Sequence, residues 1–181
     1  MYMINALRCI RVSNFDKTEE TVTPEKAAEI LAPVEKVKTA ILENCFIVEE
    51  LLGIVINHYF FPVGSAPQEK IDLFREYILN SEFFSFSTKI RVIESIVNHE
   101  KIFSGEKKNN YSTRLREVMR IRNSFTHGEI RTDGKKIGLI FSQGGPQRKW
   151  LDDEYFKEID QTLQLAYSET FEIARKFVPE A

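Results

Sequence analysis

Two cysteines in 181 residues, Cys9 and Cys45, are too few and too far apart for a disulfide framework. Neither belongs to a CxxC pair or has a histidine pattern beside it, so no zinc site is indicated, and a reducing, cytoplasmic setting is expected. Long apolar runs are also missing. A membrane span needs roughly 20 apolar residues. The richest stretch, residues 51–61, is shorter and is broken by Asn57 and His58, so it reads as the buried end of a helix. The opening residues, Met1 to Cys9, lack the charged start and sustained apolar segment of an export signal. Neither membrane insertion nor export is expected. Nor is there a surplus of positive charge. Lys and Arg number 25 against 27 Asp and Glu, a net charge of -2, so any contact with nucleic acid must come from a local patch. Internal repeats and low-complexity tracts are absent too.

What is present is a foldable globular composition. Hydrophobic residues make up 43% and aromatics 12%, mostly Phe, which is enough to fill a core and argues against intrinsic disorder. The length suits one domain, since burial becomes efficient at roughly 150 residues.

Residues 1–23 are of mixed polarity and are set aside as an N-terminal arm of unassigned structure, leaving 24–181 as the folded domain. Thr23-Pro24-Glu25 places a capping residue before a proline and an acid in the first turn, predicting a helix start near residue 24. Pro33 removes a backbone donor inside that pattern and predicts a kink or a restart. Beyond it Val34, Val37, Ile41, Cys45, Val48, Leu52, Ile56 and Tyr59 recur at intervals of three and four, the spacing of one face of a long helix. Two prolines and a glycine between Phe61 and Pro67 predict a loop. A helix of about three turns follows, with Ile71, Phe74 and Ile78 on one side. Ser87 is the expected cap of a further helix carrying Ile90, Ile93 and Val97. Residues 104–110 read as a polar, basic loop, and the next helix as starting near Tyr111 or Ser112 and ending at Gly128.

After Gly128 the period changes. Asp133-Gly134 between two candidate strands is a hairpin signal, and Gly144-Gly145-Pro146 marks a second turn, giving an inserted β-hairpin at about residues 129–151. Acids at 152–154 then open a last helix bearing Phe156, Ile159, Leu163, Ala166, Thr170, Ile173 and Phe177. The fold class is therefore mainly α, a bundle of about five helices with a small β-hairpin insertion before the last helix.

The helix ending at Gly128 carries the chemistry. At about 100° per residue, Leu115, Val118, Met119, Ile121, Phe125 and Thr126 share an arc of roughly 160°. Arg122 falls within it, so an always-charged guanidinium stands where the pattern asks for an apolar side chain. Arg116, Arg120, Asn123 and His127 cluster within about 60° on the flank. Arginine donors hold phosphate, and histidine is the residue type that moves a proton near neutral pH. Those are the groups that metal-free phosphodiester cleavage uses. Arg122 and His127, however, are about 140° apart around an ideal helix axis. They meet at one phosphate if Gly128 adopts a left-handed turn that swings His127 out of register, or if a symmetric dimer builds a composite site.

Arg122, four intervening residues and His127, with Asn123 adjacent, resembles the Arg-x(4-6)-His motif of the HEPN superfamily. The resemblance covers the motif and the helical layout. It implies a helical bundle that dimerises through its motif helices. It also implies a metal-independent endoribonuclease, needing no cofactor, of the kind found in toxin-antitoxin, phage-defence and RNA-processing systems. Arg122 and His127 would be its catalytic pair and Asn123 the accompanying polar residue. RNA would be the substrate, and an antitoxin or another protein a further partner. Some HEPN toxins carry a tyrosine two residues after the histidine, where a partner nucleotidyltransferase adenylylates them. Glu129 stands there instead, so that form of control is not implied.

Plainer assignments stand beside these. Arg122 can pair structurally with Glu49, Glu50 or Glu94, and His127 can simply favour the negative pole of a helix. Arg116 and Arg120 can be solvated surface charges. His58 reads as a packed histidine with a satisfied hydrogen bond, and His99 as exposed. Lys135 and Lys136, with Arg131, Arg148, Lys149 and Trp150, either guide RNA or protect the hairpin edges. Two further functions therefore stay open: a catalytically silent module binding a nucleotide, RNA or protein partner, and a helical interaction domain with no site at the motif.

Overall fold

A computed structural model describes residues 24–132, 136–142 and 144–178. The N-terminal arm and the Asp133-Gly134 turn with Lys135 lie outside them. Five α-helices occur in the order α1 (Pro24–Phe60), α2 (Gln68–Phe74), α3 (Phe86–His99), α4 (Gly105–His127) and α5 (Asp153–Phe177). Three strands, β1 (Glu129–Thr132), β2 (Ile137–Ser142) and β3 (Pro146–Trp150), lie between α4 and α5. The fold is mainly α with a small antiparallel sheet inserted before the last helix.

The described residues form two compact units. One contains residues 24–43 and 120–161. Its core takes Val34 and Ile41 from α1, Ile121 and Phe125 from α4, Ile130 from β1, Leu139 from β2 and Ile159 from α5. Full burial of each such side chain stabilises by about 1.5–3 kcal/mol. The sheet order is β1-β2-β3, with Ile130 opposite Leu139 and Leu139 opposite Lys149. β1 alternates strictly: Ile130 and Thr132 face inward, while Glu129 and Arg131 face outward. The sheet goes one strand beyond the expected hairpin. Pro146, Gln147, Arg148 and Lys149 are all exposed, so β3 carries no alternating pattern and owes its form to pairing with β2. A proline at its first residue and a lysine within it are the usual features of an edge. Gly144 and Gly145, at φ +67° and +146°, make the turn that precedes it.

The other unit contains residues 44–119 and 162–178. Cys45, Val48, Leu52, Val55 and Ile56 of α1 are buried with Ile90, Ile93 and Val97 of α3, Tyr111, Leu115 and Val118 of α4, and Ala166, Thr170 and Ile173 of α5. The Tyr111 hydroxyl shares a hydrogen bond of 3.1 Å with Thr170 Oγ1. Burial pushes that phenol well above its ordinary value.

Several local expectations are corrected. Of the two outcomes expected at Pro33, a kink or a restart, the restart does not occur: α1 runs through it as one helix. The ring is exposed, on the side of the helix where it displaces no core residue. The cap of α3 is Ser85, whose hydroxyl accepts from the Thr88 amide, rather than Ser87. α4 begins at Gly105, several residues before Tyr111. Its first turns are polar because they are mostly solvent-facing, with Lys107 paired to Glu172 at 2.9 Å and stacked over Phe103. α2 continues into a π-helical turn, Arg75–Leu79, in which the Asn80 amide donates to the Arg75 carbonyl at 3.0 Å. The wider turn takes up one extra residue, so Leu79 is buried while Ile78 stays exposed.

Candidate functional site

α4 stays helical through His127, and the Gly128 amide donates to the Ser124 carbonyl at 2.8 Å, the regular helical pairing. Gly128 is not among the residues with positive φ. Its role is close approach. A β-carbon there would collide with the Ser124 carbonyl oxygen and lie 2.8 Å from Leu139 Cδ1 and 3.1 Å from the Ile140 carbonyl oxygen. Of the two ways to bring Arg122 and His127 together, the left-handed turn at Gly128 is therefore not the one this helix end adopts, and β2 crosses directly against the position. With no unwinding, Arg122 and His127 keep their separation of about 140° around the axis and about 7.5 Å along it.

The exposure of the two residues follows that geometry. Arg120, Asn123 and His127 are exposed on one flank of α4. Arg122 is half-buried and its Nε is enclosed. Arg116 belongs to the other unit, where its Nη2 donates to Glu94 Oε1 at 2.7 Å while the side chain remains 54% exposed. One of its two terminal nitrogens is therefore engaged, which lowers its value as a phosphate donor. Of the acids considered as partners for Arg122, Glu94 holds Arg116, and Glu49 holds Lys89 at 3.0 Å.

A second basic element comes from the sheet of the same unit. From Arg120 to Trp150 the sequence has seven Lys and Arg against two Asp and Glu, a local excess of five positive charges in a chain of net charge -2. The Lys136 ammonium and the Arg148 guanidinium each lie 5.6 Å from the Trp150 ring centre. The Lys149 ammonium is 5.8 Å from that of Tyr155. The indole lies over Gly138, where a β-carbon would sit 3.4 Å from its ring carbons, an ordinary contact. Arg131 is occupied: its Nη2 donates to Glu129 Oε2 at 2.6 Å, and that bond holds the guanidinium's pKa above its usual value. Lys135 falls outside the described residues.

The structure also reveals polar groups that sequence reasoning undervalued. His58 does not have the satisfied hydrogen bond expected of it. Among the described residues its Nδ1 is buried without a partner, and so is Oδ1 of its neighbour Asn57, a residue only 4% exposed. The two residues that interrupt the richest apolar run were the available signal. His99 is exposed, as expected, with Nε2 3.8 Å from Glu100 Oε1.

Among the described residues no group of three His, Cys, Asp or Glu is placed to hold a metal ion. No described helix is long and apolar enough to cross a membrane. No family model, curated protein or solved structure matches the chain.

Proposed function

We propose that this chain is an endoribonuclease of the HEPN type that works as a homodimer, with Arg122 and His127 supplied to each site by different protomers. The observation that carries the dimer is the regular helical end. One α4 cannot aim a half-buried Arg122 and an exposed His127 at the same phosphate, whereas two copies related by a two-fold axis can. Asn123, exposed on the flank that bears His127, is the accompanying polar contact. The basic strand β3 and the Lys136–Trp150–Arg148 cluster supply phosphate contacts and a stacking surface for the rest of the strand.

In the reaction the RNA 2′-oxygen attacks the adjacent phosphorus, forming the 2′-O–P bond as the P–O5′ bond breaks. The 2′ proton leaves to a general base and the 5′ oxygen receives one from a general acid, roles open to His127. Arg122 stabilises the charge that develops on the phosphorane oxygens. The products are a 2′,3′-cyclic phosphate and a 5′-hydroxyl. The family resemblance implies no metal, so cleavage should persist in EDTA. The test incubates purified protein with varied RNAs in EDTA and maps the ends. If all RNAs remain intact while Arg122→Ala and His127→Ala are as toxic on expression as wild type, the proposal is wrong.

The half-burial of Arg122 favours one other reading, a catalytically silent module that binds a nucleotide, RNA or protein partner. That protein would gain thermal stability from its ligand and cleave nothing.

A further inference from the structure

The unit formed by residues 44–119 and 162–178 contains a cavity of about 430 Å³, well away in sequence from the α4 motif. Ligand pockets run from about 300 to 1,000 Å³. Glu50, Gly53, Asn57 and His58 of α1 line it together with Arg75 of the π-helical turn and Lys89 of α3. Native proteins rarely leave buried polar atoms unsatisfied, and each exception calls for a cause. Here two such atoms, Asn57 Oδ1 and His58 Nδ1, belong to residues of one cavity wall. A π-helical turn forms another part of the wall, and such turns occur frequently at functional sites.

The charges select the ligand class. Lys89, almost fully buried, is engaged by Glu49 at 3.0 Å. Arg75 and Glu50 form no ion pair among the described residues, which leaves the cavity one cation and one anion. Arg75 offers the forked donor that suits a carboxylate. Glu50 accepts, which suits an ammonium. Ile54 and Leu79 add apolar surface to the lining. A polyphosphate finds too little positive charge here, whereas a zwitterion with an apolar body finds a partner for each of its parts. We propose that the cavity between α1, the π-helical turn and α3 binds a free α-amino acid, with its carboxylate on Arg75 and its ammonium on Glu50.

Gly53 supplies the decisive variant. A β-carbon on it would meet nothing within 4 Å, so a leucine there extends into the cavity without a clash at its root. The experiment measures thermal shifts of the full chain with each of the twenty L-amino acids, and with inorganic phosphate and AMP, at millimolar concentration. The expected result is that one amino acid or a related set raises Tm, that phosphate and AMP do not, and that Gly53→Leu and Asn57→Leu both lose the shift. Asn57→Leu also removes the unsatisfied acceptor, so without ligand it should melt higher than wild type. If Asn57→Leu does not fold, Gly53→Leu alone decides. Silence from every amino acid with wild type, a shift that survives Gly53→Leu, or a response to phosphate or AMP instead would each overturn the assignment. RNA cleavage is read separately, so failure here leaves the α4 proposal standing.

Discussion

The Gly128 amide hydrogen-bonds the Ser124 carbonyl at 2.8 Å, which places the last regular pairing of α4 beyond His127 and holds that histidine in helical register. Leu139 of β2 presses on the same glycine. Gly128→Ala is therefore expected to destabilise by about 1–3 kcal/mol or more, the cost of overpacking a closed site. Chemical denaturation measures it. A loss within about 0.5 kcal/mol, the range of an ordinary surface change, would mean that β2 yields easily.

Division of the catalytic pair between protomers predicts complementation. Arg122→Ala and His127→Ala proteins, each inactive alone, should recover about a quarter of wild-type cleavage when mixed and allowed to exchange subunits. Half of the dimers are then mixed, and each of those has one intact site of two. If both residues of a site come from one chain, the mixture stays inactive.

Lys89 and Glu49 form a pair with side chains only 11% and 14% exposed. Lys89→Met removes the cation of this largely enclosed pair and should cost about 3 kcal/mol. Adding Glu49→Leu should restore much of that loss. A double-mutant cycle with no coupling would contradict the pairing.

Tyr111 predicts a pH effect with a definite sign. Its folded-state pKa is raised above the ordinary value of about 10, chiefly by burial. Below pH 10 both states keep the proton and stability is unaffected. Above it the unfolded chain loses the proton first, so stability falls by up to about 1.4 kcal/mol per pH unit until the folded value is reached. Tyr111→Phe should cost about 1 kcal/mol at neutral pH through the lost bond to Thr170. The difference from wild type should shrink in urea melts above pH 10. A constant difference would refute this account.

Much of the architecture was legible because burial leaves a periodic trace. Ile41, Cys45, Val48, Leu52 and Ile56 are buried at the intervals that mark one helix face, and Ile159, Leu163, Ala166 and Ile173 do the same in α5. Where an element is exposed or depends on a partner, the trace disappears. The first turns of α4 face solvent, β3 exists by pairing with β2, and a π-helical turn displaces the apolar phase by one residue. The motif residues were legible as types and spacing. That Gly128 serves close packing rather than a left-handed turn was not, since it depends on where β2 passes. The unsatisfied atoms of Asn57 and His58 were hidden for the same reason: whether a buried polar group has a partner is a property of the folded neighbourhood.

The turn at Arg75–Leu79 makes chain length, rather than side-chain identity, the variable at that point. Shortening it by one exposed residue, such as Tyr77, would return Leu79 to the phase of Ile71 and Phe74 on an ordinary α-helix and leave the core contact in place. The cavity wall would change while the core kept its leucine. A single-codon deletion thus separates what this segment does for stability from what it does for the cavity, a distinction that no substitution at Arg75 or Leu79 can draw.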